Sequence, residues 1–238
     1  MKLYKYLPPE RYDVLECGRI AVTSSTRFND PFDCNPVIVA DMSGLADQKE
    51  WERLKAVGQK MYQQEWAAIF RVLCLSEKWD IIPMWSYYAR EHRGFVIEFD
   101  TEVAGWGSEV RKVNYSMERP EVVLPESKAK MEPATEFIAA HWTKAAAWCH
   151  EREWRLLFNL KKCMPLTTPD GEIVSLATFR KEAVTSVYLG ARMNLRFKAF
   201  IRENVMGWGY GEANLAEISP DRQRFRLIAK PLQVNPEE

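Results

Sequence analysis

Glu151-Arg152-Glu153-Trp154-Arg155 sets two carboxylates and two guanidinium groups directly before the apolar run Leu156-Leu157-Phe158, with Trp148, Cys149 and His150 just upstream. In an extended strand, successive side chains point to opposite faces. Glu153, Arg155 and Leu157 therefore share one face, and Trp154, Leu156 and Phe158 the other. Charges on a buried strand face are costly unless partnered, so this face either pairs its charges internally or lines a cleft. A cleft carboxylate serves acid–base or oxocarbenium chemistry. The neighbouring Trp148 and Trp154 rings are expected to desolvate it and push its pKa up. Glu153, at the head of the strand, is the candidate catalytic residue. Glu151 lies before the strand proper and reads as an exposed partner of Arg152. The plain alternative is a surface ion-pair cluster of small energetic weight.

Two other stretches carry usable chemistry. Arg27-Phe28-Asn29-Asp30-Pro31-Phe32-Asp33 is dense in turn formers. It reads either as a capped turn, with Asn29 and Asp30 bonding their own backbone, or as a clamp that aims Arg27 at a phosphate. Ser76 ends the strand Val72–Ser76, a usual place for an active-site hydroxyl. After Pro83 the pattern is helical: Trp85, Tyr88, Ala89 and His92 form an apolar stripe, and Ser86, Arg90 and Arg93 form a polar face that is otherwise an ordinary solvated one. His92 reads as a core histidine. His92, His141 and His150 lack the spacing of a metal site, and no metal is expected. Cys17, Cys34 and Cys74 read as small buried apolar residues rather than nucleophiles.

The elements that must position these residues follow from periodicity and punctuation. A strand at Leu3–Tyr6 leads into a helix that Pro8-Pro9 opens and that runs through Arg11 to Cys17, where Gly18 ends it in a left-handed turn. A strand follows at Arg19–Thr23. Residues 47–71 carry Trp51, Leu54, Met61 and Ile69 at helical spacing and predict a long amphipathic helix. Strands are expected at Phe95–Phe99 and Val110–Tyr115. Residues 118–132, rich in Pro, Glu and Lys, predict a mobile segment, and Thr135–Trp148 a helix. Beyond the Glu153 strand come a turn region at Pro165–Gly171, a strand at Val184–Leu189, a helix at Leu195–Met206, and strands near Leu215 and Phe225. The mixed order predicts an α+β fold, with a mixed, largely antiparallel central sheet flanked by helices. No repeat, dinucleotide glycine motif or phosphate-binding loop of the Walker type occurs.

Composition bounds the function. The 238 residues suit a single domain, 1–238, and 47% hydrophobic content supplies a core. Lys and Arg together number 33, as do Asp and Glu, which argues against a generic nucleic-acid coat and leaves room for a local basic groove. The 5 cysteines form no C-x-x-C and suit a reducing compartment. No run approaches membrane-spanning length, and Met1–Tyr6 reads as a strand rather than a leader, so a cytoplasmic protein without a membrane partner is expected.

Five segments in order, LYKY at 3–6, RFNDPFD at 27–33, CLSE at 74–77, MWSYYAREHRGF at 84–95 and EREWRLLF at 151–158, resemble a bacterial domain-of-unknown-function family marked by a Tyr-Lys-Tyr start and a Glu-Trp-Arg signature. More distantly, the opening strand, the helix ending in Gly and the second strand resemble those of ADP-ribosyltransferases, including DNA-modifying toxins and RNA 2′-phosphotransferases. Their catalytic glutamate starts a late strand that is followed by a Pro-containing turn and another strand; Glu153, Pro165 and Val184–Leu189 stand in that order. The resemblance implies an enzyme that uses NAD to modify a nucleic acid or nucleotide, in a phage-defence or toxin setting. Glu153 would hold the nicotinamide-side ribose and stabilise an oxocarbenium-like transition state. Arg27 would face the pyrophosphate, and Tyr87 or Tyr88 would stack on nicotinamide. Lys5 and Tyr6 occupy the place of the usual ribose-gripping His or Arg, and Asn29, Ser76 and Arg93 complete the candidate NAD contacts. The alternative is a non-catalytic nucleotide- or protein-binding module of the same fold. A third reading is a metal-independent nuclease or hydrolase that uses the Glu151/Glu153 pair.

Overall fold

The strand Lys2–Leu7 (β1) is the hub of the architecture seen in a computed structural model, which describes residues 1–39, 48–123, 140–211 and 213–232. A short turn brings the chain into helix α1 (Asp13–Cys17), which Gly18 closes at φ 64°, a left-handed value that glycine adopts without steric penalty. Then come β2 (Arg19–Val22), β3 (Val37–Val39), helix α2 (Gln48–Ile69), β4 (Phe70–Ser76), helix α3 (Ile82–Tyr87) and β5 (Phe95–Asp100). The short strands β6 (Arg111–Lys112), β7 (Asn114–Ser116), β8 (Glu121–Val123) and β9 (Thr143–Ala145) precede β10 (Glu153–Asn159). The chain closes with β11 (Met164–Thr167), β12 (Ile173–Thr178), β13 (Val184–Leu189), helix α4 (Leu195–Asn204), β14 (Asn214–Pro220) and β15 (Leu227–Pro231).

Among the described residues, eight strands form one sheet in the order β15-β14-β13-β5-β1-β4-β10-β6. All its neighbours are antiparallel except β13 and β14, which run parallel and are joined through α4, as a parallel pair requires a crossover. The large, mostly antiparallel sheet of a mixed α/β fold is therefore observed as expected. The strands Lys2–Leu7 and Glu153–Asn159, far apart in sequence, flank β4 on its two sides. Tyr4 and Glu153 both register with Ser76.

One face of this sheet is sealed. Leu3, Leu73, Leu75, Phe95, Ile97, Phe99 and Leu156 pack there against Val14 and Leu15 of α1, Ile201 of α4, and Ile20 and Val22 of the three-stranded sheet β11-β12-β2. On the opposite face, Met84 and Trp85 of α3 cover Tyr6, Val96, Ile218 and Leu227. Over β4 and β10 that face is left to the polar side chains described below.

Several sequence expectations change. The helix after Pro83 stops at Tyr87, and Arg90, Glu91 and His92 then take left-handed conformations (φ 45°, 54° and 67°). The helical face of Ser86, Arg90 and Arg93 therefore does not form. The cause is the close approach of Gly94 to β1: a Cβ at Gly94 would lie 2.0 Å from the Leu7 carbonyl oxygen, so the chain must turn sharply before β5 can pair. Within Thr135–Trp148, residues 135–139 lie outside the described residues, Ala140 is helical, and after a turn the chain forms strand β9 and a 3-10 turn at Ala146–Glu151 rather than a continuous helix. Lys144 is drawn into extended backbone by its buried partners, which outweighs the helix preference of the alanines after it. In the 118–132 segment, Glu121–Val123 pairs with β3 as a strand, and residues 124–132 lie outside the described residues. Phe225 stands in the turn between β14 and β15. Cys17 is exposed. In α2, Ile69 is exposed and Trp66 is the buried anchor, packed with Ile38 and Val122. No described helix is long and apolar enough to cross a membrane.

Candidate functional site

The cleft opens where the sheet is least closed. The ladder between β1 and β4 is the single pair Tyr4–Ser76, and the half-buried Lys5 ammonium crosses to the Cys74 carbonyl oxygen at 2.9 Å. Alternation along β10 sends Glu153 and Arg155 to this side and Leu156 to the core, as its sequence predicts. The resulting cavity of about 410 Å³ lies within the size range of small-molecule sites.

Its floor is a buried charge network. The Arg155 guanidinium is fully buried. It donates from Nε to Glu153 Oε1 at 2.7 Å, from Nη2 to Glu153 Oε2 at 3.0 Å and to Asp33 Oδ2 at 2.7 Å, and from Nη1 to the His141 carbonyl at 2.8 Å. The Lys144 ammonium joins three carboxylates: Glu151 at 2.5 Å, Glu153 at 3.0 Å and Asp33 at 3.6 Å. The Tyr88 hydroxyl donates to Glu151 at 2.7 Å, and Ser76 Oγ donates to the Glu151 carbonyl at 2.8 Å. Every buried charge here has a partner, as burial demands.

These contacts set the protonation states. Burial pushes the Glu153 carboxyl up, but Arg155 and then Lys144 overcome it and hold the group at about 2. The upward shift expected from the neighbouring tryptophans is thus reversed, because a guanidinium fork at hydrogen-bond distance outweighs desolvation. Burial lowers Lys144, but Glu153, Glu151 and Asp33 together raise it above its ordinary value. Burial depresses the Lys5 pKa. Tyr88 is raised, first by burial and then by the Glu151 charge.

The rim differs in character. Tyr87 is 64% exposed and meets Tyr88 and Trp148 edge-on. Arg27 pairs with Glu172 on the surface. Asp30 caps its own turn through the Phe32 amide, which is the structural role the sequence allows for this loop. Asp33 instead reaches the floor, and Phe28 lies 5.4 Å from the Arg155 guanidinium in a cation–π contact, so β10 holds the loop in place.

Of the residues singled out in the sequence, Lys5, Tyr6, Arg27, Asn29, Ser76, Tyr87, Tyr88 and Glu153 line this one cavity. Arg93 does not: it pairs with Glu91 at the surface beyond the left-handed turn. Three of the eight are already engaged by backbone. Lys5 donates to the Cys74 carbonyl. Tyr6 donates to the Lys78 carbonyl and accepts from the Ile81 amide, and Ser76 is spent on Glu151. Glu151 is 2% exposed and faces Lys144 and Tyr88, which corrects its reading as a surface partner of Arg152. Sequence reasoning does not find Asp33 and Lys144 as site residues. Asp33 lies within a motif that the sequence marks, whereas Lys144 is hidden in an apparent helix. Among the described residues, no group of three or more His, Cys, Asp or Glu side chains is arranged to hold a metal. The three clustered carboxylates are instead paired with two cations, Lys144 and Arg155.

Residues 84–156, which include most of α3, all of β5 and β9 and the start of β10, match the family model described as Protein of unknown function (DUF2971). The match spans the Tyr87–Tyr88 rim and the Lys144, Glu151, Glu153 and Arg155 floor. No curated protein and no solved structure matches the chain.

Proposed function

We propose that the cleft binds a dinucleotide of the NAD type and that the chain is an ADP-ribosyltransferase-like enzyme acting on a nucleic acid or nucleotide. One observation carries this reading: a single cavity joins cationic Lys5 and Arg27, the Tyr87–Tyr88 aromatic wall, and a floor where Asp33, Glu151 and Glu153 outnumber Lys144 and Arg155. The surplus of negative charge on the floor favours a cationic ring and positive charge developing beside it. Arg27 and Lys5 supply donors for a diphosphate, and the exposed Tyr87 ring offers a stacking surface. Bound there, NAD would supply an ADP-ribosyl group: breaking the bond between its nicotinamide nitrogen and the ribose would release neutral nicotinamide with the bonding pair and leave positive charge on the ribose, for the acceptor nucleophile to meet. Glu153 acts in this scheme as a fixed charge and not as a proton acceptor, because Arg155 and Lys144 keep it ionised.

The reading is tested by calorimetry and thermal shift with NAD at millimolar concentration, together with detection of released nicotinamide. A raised melting temperature and nicotinamide release support it; no heat and no shift overturn it. A non-catalytic nucleotide-binding module is the second reading. It is favoured by the engagement of both Glu153 oxygens by Arg155, and it predicts a thermal shift without release.

A further inference from the structure

A second cavity, of about 510 Å³, lies beneath the turn between β14 and β15, on the far side of α3 from the cleft: Met84 and Tyr87 border the first, Ile82 the second. Its lining is strongly basic, with Arg192, Arg222, Arg224 and Arg226 against one carboxylate, Asp221. Asp221 is spent on the turn itself. It accepts from the Gln223 and Arg224 amides and pairs with Arg226. Among the described residues, Arg192, Arg222 and Arg224 have no carboxylate within ion-pair distance, and all three are exposed. Between Arg224 and Arg226, the Phe225 ring stands wholly in solvent, at 104% of its reference exposure. A lone exposed aromatic is common. An exposed ring between arginines on a turn already braced by its own aspartate forms a preorganised surface, with donors for phosphate and a face for a base.

We infer that this turn and the cavity beneath it bind single-stranded nucleic acid, with backbone phosphates on Arg192, Arg222 and Arg224 and a base stacked on Phe225. Single strands are favoured over duplex because stacking on a side chain needs an unpaired base. The balanced net charge of the chain conceals the patch, since the surplus is local. Helix α3 borders both this cavity and the cleft, which suits the delivery of a nucleic-acid substrate. The inference stands apart from the NAD reading, because binding at this surface needs no NAD.

The test is fluorescence anisotropy of the full chain, without NAD, against short labelled single-stranded DNA, single-stranded RNA and duplex DNA of mixed sequence. Expected is single-strand binding that weakens with salt, exceeds duplex binding, and falls about tenfold in Phe225→Ala, since stacking on an aromatic contributes on the order of 1–3 kcal/mol. Arg222→Ala with Arg224→Ala should flatten the salt slope by about 0.7 for each phosphate that the removed guanidinium groups neutralise. A preference for DNA or for RNA identifies the natural strand, and either supports the inference. The variants lie on an exposed turn, so unchanged melting temperatures will exclude misfolding. No anisotropy change at low salt, equal binding by wild type and variants, or duplex bound as tightly as single strands with Phe225→Ala silent, would each overturn it. Failure of the NAD reading would show separately, as a missing thermal shift with strand binding intact.

Discussion

Arg155 and Arg27 both serve the loop at residues 27–33, under opposite conditions. The Arg155 side chain is 0% exposed and is shared between Glu153, Asp33 and the His141 carbonyl. The Arg27 side chain is 47% exposed and holds one surface carboxylate, Glu172. A buried guanidinium is tolerable only when its donors are met, so Arg155 has become a fixed part of the framework. An exposed one exchanges partners with water at little cost, so Arg27 is free to take a ligand. The same division runs through the whole cleft. Its floor is a saturated network that fixes a field, and its rim carries side chains with capacity to spare.

The largest effect that would break this comparison is on stability. Arg155→Met should destabilise the fold by about 3–5 kcal/mol, because Glu153 and Asp33 lose a buried partner. Arg27→Met should stay within about 0.5 kcal/mol of wild type while weakening NAD or ADP-ribose binding. Urea unfolding of the two variants side by side measures the contrast. Equal losses would show that floor and rim are not different in kind.

A second effect separates the two glutamates. Glu153→Gln removes the charge from both fork hydrogen bonds, leaving Asp33 as the carboxylate that pairs with Arg155. Glu151→Gln leaves Lys144 still paired with Glu153 and Asp33. Glu153→Gln should therefore unfold more easily. If the enzyme reading holds, it should also lose about 10²–10³ in rate, measured where both variants are folded. Glu151→Gln should no longer be silent, as a surface residue would be. The sharper readout is acid unfolding. Glu153 is held at about 2 in the fold against an ordinary value of 4.5, so its depressed pKa contributes stability above about pH 4.5 that is lost as the pH falls towards 2. In Glu153→Gln the stability lost over that window should be smaller than in wild type. Identical acid limbs would mean that Glu153 is not ion-paired in solution.

The sequence exposes the parts of this arrangement that depend on local rules. Alternation alone places Glu153 and Arg155 on one face of β10 and Leu156 on the other, and the turn formers of residues 27–33 mark a loop that does reach the cleft. It cannot expose what depends on distant partners. Lys144 sits beside three consecutive alanines, which favour a helix, yet Asp33, Glu151 and Glu153 draw it into extended backbone. Glu151 looks exposed until Tyr88, from a different element, is seen to donate to it. Arg93 looks like part of a helical face until Gly94 is seen to require close approach to Leu7. The direction of the Glu153 shift is only partly hidden: Arg155 is two residues away on the same strand face, whereas the second cation that lowers the pKa, Lys144, comes from β9.

The smallest effect tests whether Arg27 is held in reserve for a ligand. Arg27 and Glu172 are both about half exposed, and such pairs contribute about 0–1 kcal/mol to stability, so Glu172→Gln should leave the melting temperature nearly unchanged. Its effect should appear in binding. In the wild type, a diphosphate must displace Glu172 from the guanidinium; in the variant, it meets an unclaimed donor fork and one fewer repelling carboxylate. Affinity for ADP-ribose should rise a few-fold at low ionic strength, and the gain should shrink as salt screens the exposed charges over a Debye length of about 10 Å at 0.1 M. Arg27→Met should cancel the gain, because both changes act through one guanidinium and are not additive. A gain that survives the loss of Arg27 would assign the phosphate to Lys5 alone. No gain at any salt concentration would mean that Arg27 belongs with Arg155 as framework, and the line between floor and rim would have to be redrawn inside Tyr87 and Lys5.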